Sequence, residues 1–384
     1  MSTIASHDFS DESYAARIRR HLMRDSFARY GLRAIILLFV VAALAPFLAN
    51  NHAIVRVADG HISFPIFATL EPIEWRFYLY VPLAAVGYLS RRQFFAHPFR
   101  YLAVAVVVIC LLEIFIYKFH PIDDPTNDRE RAATFKLMPP ISYSPIESTS
   151  DQFSPPTWKH LCGTDLTGRD IAARIIHGAR TSLSIGLVSQ LVALTIGVSL
   201  GGLAGYYRGW VDIAVCRVIE ILDCFPPLLL ILVMLGLFQS QNNMLIIMIV
   251  IGITSWTGLA RLVRAEFLRL GSQPFPQAAQ ALGASDFRVI TRHLLPNALG
   301  PILVSATFGV ASAILIESSL SFLGFGMQAP TPSWGDILSD ARRYIDFAWW
   351  LAFFPGLAIL ITTMSYNFVG EGLRDAVDPR LKLK

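Results

Sequence analysis

Four carboxylates, Glu113, Glu220, Asp223 and Glu317, fall within or at the edges of long apolar runs. An ionised group there is costly, and it marks a route through the membrane, a proton relay or a buried partner. Each carboxylate also has a plainer role open to it. Glu220 stands three residues after Arg217, the spacing of a helical ion pair. Asp223 precedes Pro226 and Pro227, whose rings and missing amide hydrogens kink or break a helix and so suit a gate, although proline is also frequent in membrane helices that gate nothing. Glu317 leads Ser318, Ser319 and Ser321, a polar patch that faces either a pathway or a neighbouring subunit, and Glu113 has a local partner as its alternative.

Other reactive patterns are missing. Cys110, Cys162, Cys216 and Cys224 show neither C-x-x-C spacing nor a histidine pattern, and read as small buried hydrophobes rather than metal ligands. There is no H-E-x-x-H, no G-x-S-x-G and no phosphate-cradling G-x-x-x-x-G-K-[ST], so the chain is not expected to be an enzyme or to hydrolyse nucleotide itself.

The elements that must position these groups are membrane spans. Of 384 residues 54% are hydrophobic and 16% charged, against roughly 25% charged in a soluble domain. Apolar runs near the roughly 20 residues that cross a bilayer cover Leu32–Leu48, Phe77–Leu89, Tyr101–Phe119, Ser182–Tyr206, Ile219–Phe238, Met244–Leu262, Ala298–Leu323 and Trp349–Phe368. The fold class that follows is an all-α polytopic membrane protein of about eight helices. The net charge of +4 does not indicate nucleic-acid binding, because the basic residues lie in short clusters beside apolar runs.

Those clusters orient the chain. Arg17, Arg19, Arg20, Arg24, Arg29 and Arg33 precede the first span, Arg91, Arg92 and Arg100 follow the second, and Arg208, Arg217, Arg261, Arg264, Arg269, Arg288, Arg292 and the Arg374–Lys384 tail continue the alternation. Both termini are expected inside the cell, with Arg56, Arg76, Arg342 and Arg343 as exceptions. The first span imitates a signal peptide at Ala43, Leu44 and Ala45, but the long preceding segment and Pro46 argue for an uncleaved anchor. The organisation expected is an inner segment 1–31, a first span and an added pair over 32–119, an irregular outer loop 120–180 rich in Pro, Ser and Asp, and a core 181–384 with a long inner loop at about 263–297.

That inner loop reads PQAAQALGASDFRVITRHLLPN from Pro276 to Asn297. Pro276 suits a first helical position, Gln277–Leu282 are good helix formers, and Gly283 suits the left-handed residue that ends a helix. Ser285 can cap a second helix with Asp286 in its first turn, stopping by Pro296. Ala278, Ala279 and Leu282 lie at helical spacing on one side, a small-residue face with one larger knob. By itself this is an amphipathic helix on a membrane surface.

The spacing of Gln277, Ala278, Ala279, Gly283, Leu295 and Pro296 resembles the EAA loop of ABC importer permeases. Three more strings resemble the peptide/nickel branch of that family, the binding-protein-dependent transport inner-membrane components: Gly163–Leu187, Ser321–Leu338 and Val369–Lys382. Residues Val55–Phe67 are similar to the peptide/microcin C subgroup. The resemblance runs from Gly163 to the C-terminus with Leu32–Leu48 as the family's first span, and implies the MetI-like permease fold, the pair at 77–119 being an addition to six core helices.

It further implies that Gln277, Ala278, Ala279, Leu282, Gly283, Asp286 and Pro296 meet a cytoplasmic ATPase. Pro226, Pro227 and Glu317 are then candidates for pathway or gate. No cofactor is expected on this chain; ATP and Mg would sit on partner ATPase subunits, beside a second permease and a periplasmic substrate-binding protein, in the bacterial inner membrane. Short peptides are the expected cargo, then nickel or another small solute. Gln277 replaces the family's usual Glu, so an ion pair there becomes a neutral hydrogen bond. An ion-gradient-driven secondary transporter is the alternative; it would leave the long inner loop without a use.

Overall fold

The computed structural model describes residues 22–58, 61–69, 135–238, 244–327 and 330–377. Its helices are α1 (Ser26–Ala43), α2 (Ala45–Leu48), α3 (Ile171–Tyr207), α4 (Gly209–Asp223), α5 (Pro227–Phe238), α6 (Met244–Gly271), α7 (Pro274–Ala281), α8 (Asp286–Arg288), α9 (Leu295–Phe322), α10 (Trp334–Tyr344) and α11 (Trp350–Val377). Among the described residues five helical stretches are long and apolar enough to cross a membrane, or six when the bent pair α4 and α5 counts as one. The candidate spans at 77–89 and 101–119, with Glu113 and Cys110, lie outside the described residues.

Residues 1–43 and 145–384 make one unit and 44–144 the other. In the smaller unit the strands β1 (Val55–Ala58), β2 (His61–Ser63) and β3 (Phe135–Leu137) pair antiparallel in the order β2-β1-β3. Val57 faces Ile62 on one side and Phe135 on the other. This small sheet is an exception to an all-helical reading.

Helix α3 organises the larger unit. It packs at length along α6 and also touches α1, α4, α9, α10 and α11. Lipid tails are as apolar as leucine, so helices associate in a bilayer through close packing and hydrogen bonds rather than by hydrophobic burial. Small residues allow that approach: a Cβ on Gly197 would lie 3.0 Å from the Leu259 side chain, one on Gly201 2.4 Å from the Ala260 carbonyl, and one on Gly205 2.7 Å from the Arg264 carbonyl. On the other side, Gly186 of α3 receives Ile314 of α9. Helix α1 leans on α11 through a similar contact, Gly31 against the Ser365 carbonyl and Gly372 against Ala28. Leucine, valine and isoleucine on the outward faces, among them Leu37, Leu191, Val233 and Leu237, remain exposed, as lipid-facing positions must.

Several elements differ from their expected bounds. The first span is Ser26–Ala43, and the chain turns at Leu44 into short α2 with Pro46 in its first turn. The segment 171–180, expected in the outer loop, is the first part of α3, which runs unbroken for 37 residues. The expected span Ile219–Phe238 is two helices bent by 88° at the Pro226–Pro227 step, since neither proline offers an amide hydrogen to continue α4. Helix α11 runs past Phe368 to Val377.

The helix after Gly283 does not stop by Pro296. A π-turn at Val289–Leu294 carries it into α9, with Pro296 in the first turn of that helix. The wider i→i+5 spacing takes up the residue whose ring would otherwise strike the carbonyl four positions back. The cysteines divide too: Cys162 and Cys216 are half-buried, whereas Cys224 is exposed at the end of α4.

The contact between α3 and α6 is directly testable. Gly201→Ala should cost about 1–3 kcal/mol, since its new methyl meets backbone, while Gly236→Ala, which enters open space on α5, should be neutral or stabilising by about 0.5–1 kcal/mol. Thermal unfolding in detergent, followed by tryptophan fluorescence, compares the two; equal melting shifts would contradict the packing.

Candidate coupling site

The turn that follows α7 is built from the backbone outward. Pro274 opens the helix two residues before the expected start, and Pro276 is buried in its first turn. At the other end the Gly283 amide donates to the Gln280 carbonyl at 2.9 Å and the Ala284 amide to the Ala279 carbonyl at 3.0 Å, the paired bonds of a Schellman ending. Gly283 has φ +84°, as that ending requires. Ser285 starts the next helix through its carbonyl, which accepts from the Val289 amide at 3.0 Å, while its hydroxyl makes no cap bond.

The two sides of this turn differ. Ala279, Ala284 and Ile290 lean onto a core cluster of Leu259, Val263, Phe267, Val289 and Leu294. Gln277, Ala278, Gly283, Asp286 and Pro296 are exposed, Leu282 is 89% exposed and Phe287 76%. Ala279 therefore departs from its expected place beside Ala278 and Leu282: it faces the chain's own core, because the Schellman ending draws it inward with Ala284. Phe287, which takes no part in the sequence pattern, is displayed in the helix after the turn as Leu282 is before Gly283.

At the far end of α3, polar groups are locked together. Gly168 (φ +76°) and Asp165 form a tight turn in which the Asp165 carboxylate accepts from the Thr167 amide at 2.8 Å and the Arg169 amide at 3.0 Å. Asp170 then caps α3, accepting from the Ala173 amide at 2.8 Å, and its other oxygen meets His160 Nδ1 at 2.8 Å. One turn on, Arg174 is buried, its guanidinium held by Asp165 at 2.5 Å and by Asp336 of α10 at 2.7 Å, with Asp340 at 3.3 Å. The Trp334 indole donates to the Ile175 carbonyl at 3.0 Å and that of Trp350 to the Thr164 carbonyl at 3.1 Å.

The two carboxylates on Arg174 titrate in opposite directions. Burial pushes Asp165 up, but Arg174, Arg169 and the turn's hydrogen bonds together hold it below its ordinary 3.8. Burial also pushes Asp336 up, and there Arg174 and Arg169 do not offset burial and the neighbouring Asp340. Burial and the nearby Asp170 raise the Cys162 thiol to about 11, so it is inert as a nucleophile at neutral pH.

Of the gating candidates, Pro226 and Pro227 are exposed at the 88° break. Arg217 and Glu220 form the expected helical pair at 2.5 Å. Asp223 pairs with Arg261, and Asp212 grips Arg264, so α4 is held along α6 by two ion pairs. Glu317 is completely enclosed by its own chain, neither facing an open route nor presented to a neighbour; one oxygen accepts from the Ser321 hydroxyl at 2.8 Å and the other has no hydrogen-bond partner among the described residues. No group of metal-ligating side chains occurs among the described residues.

Residues 197–383, from the glycine stripe of α3 to the tail, match the family described as "Binding-protein-dependent transport system inner membrane component". The dipeptide transport system permease protein of Alkalihalophilus pseudofirmus is 42% identical over 247 residues, 64% of this chain and 80% of that protein. The chain belongs to this family. The di/tripeptide transport system permease protein of Pseudomonas aeruginosa is 38% identical over 280 residues, 73% of this chain and 88% of that protein. A solved inward-facing methionine ABC transporter aligns with TM-score 0.45 at 18% identity over 53% of this chain and 95% of that one.

For a binding-protein-dependent transport component, the match takes in the turn at Gly283 but begins after the Arg174 knot, whose parts the sequence pattern left unconnected. Asp165, Arg169 and Asp170 lie close together in sequence, but Arg174 lies inside an apolar helix and its partners Asp336 and Asp340 come more than 160 residues later. The available signal was the arginine itself, a buried charge that needs a partner.

Arg174→Met should destabilise the chain by about 3–5 kcal/mol at neutral pH by leaving Asp165 enclosed without its main partner. The sign of the pH dependence follows from Asp165. Its depressed value contributes stability above 3.8 that is lost as pH falls through the lower folded value. Asp336, raised, contributes stability present below 3.8 and lost as pH rises through its folded value. In the variant, burial of Asp165 is opposed only by Arg169 and the turn, so that carboxyl takes a proton more readily. Unfolding curves at pH 7.5 and near pH 4 should show the gap to the native chain narrowing in acid; a constant gap would remove Arg174 from the account.

Proposed function

We propose that the chain is the membrane permease subunit of an ATP-driven importer of short peptides, and that it meets its ATPase at the turn of Leu282 and Gly283. The supporting observation is the displayed tip itself. A leucine 89% exposed on a Schellman ending, with Phe287 exposed in the helix that follows and the opposite face sealed onto the core, is an apolar anchor uncovered among the described residues. Peptides are supported as cargo by the relatives named for dipeptide, di/tripeptide and oligopeptide transport.

In this reading the tip end of the core lies in the cytoplasm. Arg208, Arg217, Arg261, Arg264, Arg269, Arg288 and Arg292 cluster there, as the positive-inside rule asks. Arg342 and Arg343 at the other end have a local reason: both occupy the last turn of α10, where cations suit the helix dipole, and Arg342 lies 5.9 Å over the Phe322 ring. Both termini are then inside, in the bacterial inner membrane.

The complete importer adds a second permease, two ATPase subunits that bind ATP and Mg, and a periplasmic binding protein that delivers the peptide. ATP draws the ATPases together, the tip moves with them, and the spans reopen toward the binding protein. The break at Pro226–Pro227 lets α5 change its angle to α4 without unfolding either. Glu317 serves this by packing: with Ser321 it joins α9 to the start of α10. An ion-gradient carrier would leave the exposed tip unused.

ATP turnover of the co-purified complex in nanodiscs, with a binding protein given a dipeptide mixture, tests the proposal. Gly283→Arg should abolish the stimulation, because φ +84° is costly for any side chain and the long side chain blocks the tip. Gly283→Ala, whose Cβ meets nothing, should show the milder backbone effect alone. Uptake that continues without ATPase subunits and follows an ion gradient would instead establish the carrier.

A further inference from the structure

Tyr206, at the cytoplasmic end of α3 in the proposed orientation, belongs to none of the motifs that carry the family resemblance. Its hydroxyl accepts from Gln280 Nε2 at 3.0 Å and donates to Asp286 Oδ1 at 2.7 Å. Gln280 lies before the Gly283 turn and Asp286 after it, so one hydroxyl joins both flanks of the turn to a spanning helix more than 70 residues away in sequence. The Tyr206 ring packs into the cluster of Leu259, Val263, Phe267 and Leu294 and stacks edge-on against Tyr207 at 5.0 Å, which fixes where the hydroxyl stands.

The turn's covalent links to the spans are a short linker and an interrupted helix. On one side Ser272 and Gln273 join α6 to α7; on the other the π-turn Val289–Leu294 joins α8 to α9. A π-turn is a rare interruption of regular helix, found mostly as a single turn and often at functional sites. Helix α3, by contrast, is continuous for 37 residues, about 55 Å at the ordinary rise, and glycines seat it against α6. Its far end carries Arg174, tied to Asp336 of α10. Movement of the turn that reaches Tyr206 is therefore delivered to the opposite membrane face along a stiff rod.

We infer that Tyr206 is a positioning residue that couples the ATPase-contacting turn to α3, and through Arg174 to α10 at the outer face. The inference rests on the proposed function and adds the route. Asp286 accordingly acts inward, toward Tyr206, in addition to any contact with the ATPase.

Hydrogen–deuterium exchange of the assembled complex, with and without ATP and vanadate, separates the two ideas without needing the natural peptide. In the native complex closure of the ATPases should alter exchange both at 274–288 and at 165–180. In Tyr206→Phe, which keeps the ring and loses both bonds of the hydroxyl, the change at 274–288 should persist while that at 165–180 shrinks by at least about threefold to tenfold, the range that even one lost hydrogen bond supplies. An undiminished response at 165–180 in the variant overturns the Tyr206 route. Absence of any response at 274–288 in the native complex overturns the coupling reading itself. The double variant Gln280→Ala/Asp286→Ala, which leaves Tyr206 in place and removes both partners of its hydroxyl, decides the matter if Tyr206→Phe does not assemble: a native response at 165–180 there is equally fatal.

Discussion

The backbone-close seam between α3 and α6 is the contact on which the rest of this chain depends. A bilayer offers no hydrophobic gain for bringing two apolar helices together, so contact area at short range must supply it. Gly197, Gly201 and Gly205 remove the side chains that would hold the helices apart, and Ala260 and the Arg264 backbone fill the space. With α6 fixed against it, α3 can present Ile185 and Leu183 to α9 and α10, while Asp212–Arg264 ties α4 to α6. Loss of the seam would detach the tip, whose sealed face rests on α6 through Val263 and Phe267.

Polar groups then close each end of that rod differently. At the Arg174 end the guanidinium and Asp165 are buried and Asp336 and Asp340 half-buried, so their value is specificity: the pairing dictates how α10 docks, and breaking it costs more than forming it gains. At the Tyr206 end the bonds are exposed and weaker. In the proposed reading the buried join holds α3 to α10, and the exposed one lies where an ATPase would move the turn.

Much of this was legible in sequence because periodicity and punctuation act locally. The apolar runs for α3, α6, α9 and α11 fix the spans, and Gly283 marks the turn through the left-handed conformation it alone adopts cheaply. Pro226 and Pro227 mark a break whose angle the sequence does not carry. The glycine stripe at 197, 201 and 205 was also open to reading, as was the Asp59–Gly60 dipeptide between the alternating Val55–Ala58 and His61–Ser63 segments, a hairpin signal. Continuity was the harder property: Pro296 looks like a stop, and only the π-turn before it lets the helix run on. Asp336 on Arg174 and Asp286 on Tyr206 are set by tertiary approach, which no spacing encodes.

The glutamine at position 277 can be judged on the same physical terms. Gln277 is exposed on α7, and an exposed ion pair contributes about 1 kcal/mol or less even where both charges are present. A neutral amide forfeits at most that amount and keeps a hydrogen bond. The apolar tip offers more: enclosing Leu282, now almost wholly exposed, would contribute about 1.5–3 kcal/mol, and the Schellman ending has already fixed the backbone that presents it. In the proposed reading, engagement of an ATPase by this turn therefore depends on its shape and on Leu282 and Phe287 more than on the charge that glutamine at 277 lacks.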